Sequence, residues 1–124
     1  MPPRHLEVGV RNKSEIAIID LRGEINAFAE DSLNTAYSEA ESSEPRAILL
    51  NFGGVDYINS TGIALIVGLL GRARESGRRL LACSLSDHYV EIFSITRLAD
   101  FMSVFPDEAS ALAGAPAQDA KPTT

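Results

Sequence analysis

Apolar and polar positions change period several times along the chain, and each change predicts an element. Leu6, Val8 and Val10 alternate with Glu7 and Gly9, which predicts a short strand over residues 6–10. Asn12-Lys13-Ser14 has the composition of a turn. Ile16, Ala17, Ile18, Ile19 and Leu21 then form a β-branched run, predicting a strand over residues 15–21 that pairs with the first as a hairpin. Residues 22–26 break the pattern around one buried-type isoleucine, Ile25. From Ala27 the period lengthens. Phe28, Leu33, Ala36, Tyr37 and Ala40 recur at three- and four-residue spacing, with Glu30, Asp31, Glu39 and Glu41 between them. That predicts an amphipathic helix with Asn26 as N-cap and Pro45 beyond its end.

Residues 47–52 are apolar at nearly every position, as in a central strand covered on both faces, and Gly53-Gly54 is expected to end it. Residues 60–75 are predicted helical. The pattern is too long for a typical strand, Asn59 and Ser60 are capping residues, and Arg72, Arg74 and Gly77 suit the C-terminal end. A strand over residues 79–85 follows. Next comes a short helix capped by Asp87, with Val90, Ile92, Phe93, Ile95 and Leu98 as its apolar set. Residues 102–105 predict a last strand, and residues 107–112 a last helical turn or two. Residues 114–124 lack apolar periodicity and are expected to be a disordered tail, and residues 1–5 a flexible N-terminus. After the hairpin, strands and helices alternate. The fold class expected over residues 6–113 is therefore α/β, a mostly parallel central sheet with an N-terminal hairpin and about four flanking helices.

Charge narrows the classes of partner. Seventeen acidic residues against eleven Lys and Arg leave a formal charge of −6. That argues against nucleic-acid binding and against a membrane surface rich in anionic lipid, both of which call for clustered cations. The longest apolar run, residues 63–70, falls far short of the ~20 residues that span a bilayer. Residues 1–7 lack the apolar middle of a signal peptide. A single cysteine, Cys83, builds neither an internal disulfide nor a zinc site. A cytoplasmic protein of one domain, with no cofactor, is the expectation.

Catalytic constellations are not evident. The two histidines are His5, near the terminus, and His88, on the first turn of a helix beside Asp87. There is no Gly-x-Ser-x-Gly elbow, no phosphate-binding loop and no His/Cys/carboxylate cluster at ligand spacing, so the chain is not expected to be an enzyme. Arg72, Arg74, Arg78 and Arg79 suit a solvated helix end that complements the dipole. Cys83, in an apolar strand, is expected to pack as a small hydrophobe.

Residues 55–63 differ. Ser60 and Thr61 stand side by side between a strand end and a helix that is apolar around most of its circumference. A cap accounts for one polar residue but not for that circumference, since a surface helix needs only a stripe. The excess suggests a partner surface. A phosphate on Ser60 would meet the positive end of the helix dipole, compatible with the fold yet costly to bury in an interface.

With the turn Gly23-Glu24-Ile25-Asn26, the strand Leu49-Leu50-Asn51-Phe52 and the stretch Val55-Asp56-Tyr57-Ile58-Asn59-Ser60-Thr61-Gly62, the chain resembles a STAS domain of the anti-sigma factor antagonist family over residues 6–113. The family motif is Asp-Ser-Ser/Thr-Gly. The resemblance implies that Ser60 is the phosphoacceptor and that Asn26, Asn59, Ser60, Thr61, Gly62, Ile63 and Ile66 contact the partner. It implies a serine kinase that doubles as anti-sigma factor, bound while Ser60 is unphosphorylated, and a PP2C-type phosphatase that restores binding. The alternative within the resemblance is a non-switching scaffold, or a subunit of a stress-sensing or lipid-transport ATPase complex. Two aspartates of the family pattern are asparagines here, Asn26 and Asn59, which removes a negative charge beside Ser60. The apolar helix face could also support weak homodimers.

Overall fold

In the computed structural model, residues 5–119 are described, with side chains to Gly114. Five strands form one sheet in chain order: β1 (Glu7–Lys13), β2 (Ile16–Ile25), β3 (Ala47–Ile58), β4 (Arg79–Cys83) and β5 (Ser103–Phe105). β1 and β2 are antiparallel, and the other pairs are parallel. The connecting helices are α1 (Glu30–Glu41), α2 (Ser60–Glu75) and α3 (Asp87–Ile95), and α4 (Glu108–Asp119) follows β5. When each strand docks beside its predecessor through a right-handed crossover, every crossover helix falls on the same face. Leu33 and Tyr37 of α1, Ile66 and Leu69 of α2, and Tyr89 and Phe93 of α3 accordingly share one core with Ile19, Leu50 and Ala82. The alternate residues of the same strands, Ile18, Leu49, Leu81 and Cys83, point the other way and are covered by Ala111 and Leu112 of α4. This two-sided burial is why residues 47–52 are apolar throughout. Cys83 is buried, and burial pushes its thiol up from the ordinary range, as expected of a packing residue.

Several boundaries differ from the sequence expectation, for local reasons. The hairpin turn is Ser14-Glu15, both left-handed (φ 52° and 66°), so β1 runs through Asn12 and Lys13. Such a two-residue turn matches strand twist, and that advantage outweighs the cost of positive φ without glycine. β3 does not end at Gly53-Gly54 but continues to Ile58, and β2 continues beside it to Ile25. The glycines mark irregular pairing, because a Cβ on Gly54 would lie 3.0 Å from the Leu21 carbonyl oxygen. β4 ends at Cys83, and α3 is capped by Ser86, one residue before Asp87. α4 runs to Asp119, past Gly114, where a disordered tail was expected. Alanines at 109, 111, 113, 115 and 117 favour helix there, while residues 1–4 and 120–124 lie outside the described part.

One polar cluster ties the first strand to the last helix. Arg11 donates from Nε and Nη2 to both Asp20 oxygens (2.6 and 2.9 Å) and from Nη2 to Glu108 on α4 (2.6 Å). Asn51 Nδ2 also donates to Asp20, at 2.9 Å. The Arg11 hydrogen bond, and then that of Asn51, hold the Asp20 carboxyl below its ordinary value against the opposing effect of partial burial. A carboxyl depressed on folding contributes stability above its unfolded pKa of about 3.9, and that contribution is lost as pH falls through the folded value. Denaturation midpoints measured down through the acid range should fall less steeply for Asp20→Asn than for the wild type. Parallel acid limbs for the two chains would contradict this assignment.

Candidate functional site

The candidate site is the N-terminal turn of α2, where the paired ends of β2 and β3 leave the sheet. Ile25 and Ile58 are register partners, and each is followed by an asparagine in extended conformation. Asn26 Oδ1 accepts from the Phe28 N–H (2.9 Å) and caps the 3-10 turn Ala27–Ala29 that leads into α1. Asn59 Oδ1 accepts from the Gly62 N–H (2.8 Å) and caps α2. Asn59 thus caps α2 as expected, whereas Asn26 caps only the 3-10 turn, and α1 itself starts after Ala29 without a side-chain cap. Ser60, also read as a capping residue, is the first residue of the helix. The Asn59 N–H in turn donates to the Ile25 carbonyl (3.2 Å), so the cap is itself tied to the neighbouring strand.

Gly62 is required by this closeness. A Cβ there would sit 2.1 Å from the Ile25 carbonyl oxygen and 2.9 Å from Ile58 Cγ2. The helix is pressed against the strand ends, and its first turn is held in place. Beyond Asn51, β3 has no β4 residue beside it, because their pairing ends at Asn51 with Cys83. Tyr89 of α3 takes the place of the missing strand. Its hydroxyl accepts from the Ile58 N–H (2.8 Å) and donates to the Ile58 carbonyl (3.3 Å). The sequence pattern left Tyr89 out of the α3 apolar set, since a tyrosine beside a cap carries no periodic signal of its own.

Ser60 and Thr61 are exposed on this held turn. Their N–H groups precede the intrahelical ladder and point along the positive end of the helix. Ala64, Val67, Gly68 and Gly71 continue the exposed side of α2 as a shallow, mostly apolar stripe, with Val67 48% accessible. On the α3 side, Tyr57, Ser60, Ile63, His88, Ile92 and Thr96 line a groove of about 400 Å³. On the α1 side stands Phe28, 79% accessible.

Among the residues expected to touch a partner, Asn59, Ser60, Thr61 and Ile63 share this surface, and Asn26 lies beside it at the end of β2. Gly62 and Ile66 do not reach it. Gly62 is buried, and Ile66, 1% accessible, belongs to the core. α2 presents one buried stripe and one exposed stripe, and a mostly apolar sequence does not say which residue lies on which. Phe28 and Tyr57 were missed as surface residues. Phe28 was assigned to the apolar face of α1, but residues 27–29 wind as a 3-10 turn, which rotates Phe28 off the 3.6-residue stripe.

The other candidates have structural partners. Arg72 and Arg78 meet Glu41 at 2.9 and 3.5 Å, Arg79 donates to Ser103, and Arg74 lies 5.5 Å over the Phe101 ring. The α2 C-terminus closes with Gly77 at φ 69°. Gly77 donates to Arg74 and Arg78 donates to Ala73, the arrangement that follows a glycine stop. Among the described residues no cluster of metal-ligating side chains occurs, and no helix is long and apolar enough to cross a membrane.

The STAS domain family model matches residues 7–111. The chain belongs to the STAS domain family. It is 26% identical over 100 residues to the Staphylococcus aureus anti-sigma-B factor antagonist, covering 81% of this chain and 93% of that relative. Its fold is that of SpoIIAA, an anti-sigma factor antagonist. Against the unphosphorylated form the TM-score is 0.71 at 19% identity, covering 90% of this chain and 97% of that one. Against the phosphorylated form of this Bacillus cell fate determinant it is 0.66 at 20% identity, covering 86% and 97%. The five-stranded sheet, the N-terminal hairpin and the flanking helices are thus a STAS fold.

Two predictions follow the packing of this domain. Ile66→Ala should lower unfolding free energy by about 2–5 kcal/mol, whereas Val67→Ala should change it by no more than about 0.5 kcal/mol. Urea titration checks both, and similar losses would contradict the two-stripe description of α2. Tyr89→Phe leaves the Ile58 N–H and carbonyl without their partner and should cost about 1–3 kcal/mol. Amide exchange at Ile58 should rise with it, and an unchanged Ile58 amide would remove Tyr89 from its role as substitute strand.

Proposed function

We propose that this chain is an anti-sigma factor antagonist whose partner choice is set by the phosphorylation state of Ser60. Unphosphorylated, it binds a serine kinase that doubles as an anti-sigma factor, and so frees a sigma factor for transcription. Phosphorylation of Ser60 by that kinase ends the complex, and a PP2C-type phosphatase restores it. The observation that carries this reading is the setting of Ser60. It is an exposed hydroxyl on a rigidly held helix start, on the rim of an apolar groove and at the head of an apolar stripe. The curated Staphylococcus aureus relative bears the name of an anti-sigma-B factor antagonist, and SpoIIAA exists in both phosphorylation states.

Physical chemistry supports a switch at this position. A phosphoserine carries roughly −1.5 to −2 charges near neutral pH. At the start of α2 it would meet the free N–H groups and the positive end of the dipole, so the fold itself tolerates it. A partner pressed over the neighbouring apolar groove would have to strip water from that dianion, which is costly. Asn59 fits the same logic. It caps the helix as an aspartate would, but places no like charge beside the phosphate.

Titration calorimetry with the cognate kinase tests the proposal. Ser60→Ala should bind as the unmodified chain does, and Ser60→Asp should bind at least about tenfold more weakly, a loss of roughly 1.4 kcal/mol. After incubation with kinase and ATP, the tryptic peptide spanning residues 47–72 should carry phosphate on Ser60 and not on Thr61. Equal affinities for the two variants, or a peptide that stays unmodified, would remove Ser60 from this role.

A further inference from the structure

We propose that β1 is a docking edge for a second copy of this chain, joined by antiparallel β1–β1 pairing about a two-fold axis at Val10. β1 is the long open edge of the sheet, seven residues against three in β5, and it pairs with β2 through seven consecutive residues without a bulge. Proline, bulges, covering segments and charged side chains are the usual means of blunting an edge. β1 has neither proline nor bulge, and its charges, Glu7 against Arg11 and Lys13, are of both signs. The two-residue turn at Ser14-Glu15 makes Lys13 and Ile16 a hydrogen-bonded pair. Glu7, Gly9, Arg11 and Lys13 therefore direct their backbone groups toward β2, and Val8, Val10 and Asn12 direct theirs outward.

These outward groups are self-complementary in one register. With Val10 opposite Val10 of the second copy, Val8 meets Asn12 and Asn12 meets Val8, so every outward N–H and carbonyl finds a partner. The residues between them then form the closer, non-hydrogen-bonded pairs. In those pairs Glu7, exposed and 3.6 Å from the equally exposed Arg22, stands opposite Lys13 at both ends, two ion pairs related by symmetry. Arg11 stands opposite Gly9, where nothing lies within 4 Å of a Cβ position, so the side chain that holds Asp20 and Glu108 meets no obstruction. Slipping the register by two residues one way sets Arg11 against Arg11. Slipping it the other way sets Glu7 against Arg11, whose guanidinium is already held by two carboxylates. Charge pairing thus selects the central register, and the result is one ten-stranded sheet. β1 lies two strands away from β3, the strand that leads to Ser60, so this contact is separate from the proposed switch surface.

The test is sedimentation of the full chain over a concentration series. The wild type should show a reversible monomer–dimer equilibrium. Val10→Pro should sediment as a monomer throughout, because proline removes an outward N–H that β2 does not use. Glu7→Lys should weaken the dimer roughly tenfold, and the double exchange Glu7→Lys with Lys13→Glu should restore it. Backbone amide exchange supplies an independent readout, with protection at Val8, Val10 and Asn12 growing with concentration. A wild type that stays monomeric to about 1 mM would overturn the proposal, since no useful affinity would remain. So would a dimer that survives Val10→Pro, which would place the contact on another surface such as the groove beside Ser60.

Discussion

The pairing of Ile25 with Ile58, and the seating of Gly62 against the Ile25 carbonyl, are the constraint on which the candidate site depends. Two parallel strands end level with each other, and each hands the chain to a helix through an asparagine. Because no side chain fits at Gly62, α2 starts at van der Waals distance from the sheet and cannot slide along it. The Tyr89 hydroxyl fixes the same strand end from the opposite side. A hydroxyl placed on this turn is presented by the rigid part of the fold and not by a mobile loop. Such a surface meets a partner with little ordering entropy to lose.

The sheet is legible in the sequence because two different burial regimes leave different marks. β2 and β3 are covered on both faces, and their residues 16–19 and 47–50 are apolar without alternation. β1 packs on the core only through half-buried Val10, with half-buried Leu6 just ahead of it. Val8 is exposed, and these apolar residues alternate with polar residues or glycine. The long helix α2 was legible over its full length, cap and stop included, because capping residues act locally. The continuation of β3 past Gly53-Gly54 was not. Its pairing depends on where β2 runs, and glycine pairs mark a bulge and a strand end alike.

At the candidate site, the residues whose roles are local were readable and those whose roles are tertiary were not. Asn26, Asn59 and Ser60 declare themselves by position beside a helix start. Ile66 and Val67 are chemically near-equivalent, and only the rotation of α2 against the sheet sends one inward and the other out. Tyr89 holds a strand that lies 31 residues before it, a contact no periodicity encodes. Phe28 is exposed because a 3-10 turn changes the rotation per residue just ahead of α1.

Strand order equal to chain order has a consequence for how the chain folds during synthesis. Each strand from β3 onward pairs with the strand completed before it, across the crossover helix between them, so each step closes a loop of about twenty to thirty residues. The first face of the sheet is covered as it grows, since each crossover helix emerges between the two strands it packs on. The second face is different. Ile18, Leu49 and Leu81 wait for α4, and Arg11 waits for Glu108, 97 residues later. Until then a nascent or truncated chain displays a flat apolar sheet surface, the kind of surface that chaperones hold and that aggregation exploits. The last helix thus acts as the step that removes this surface from view.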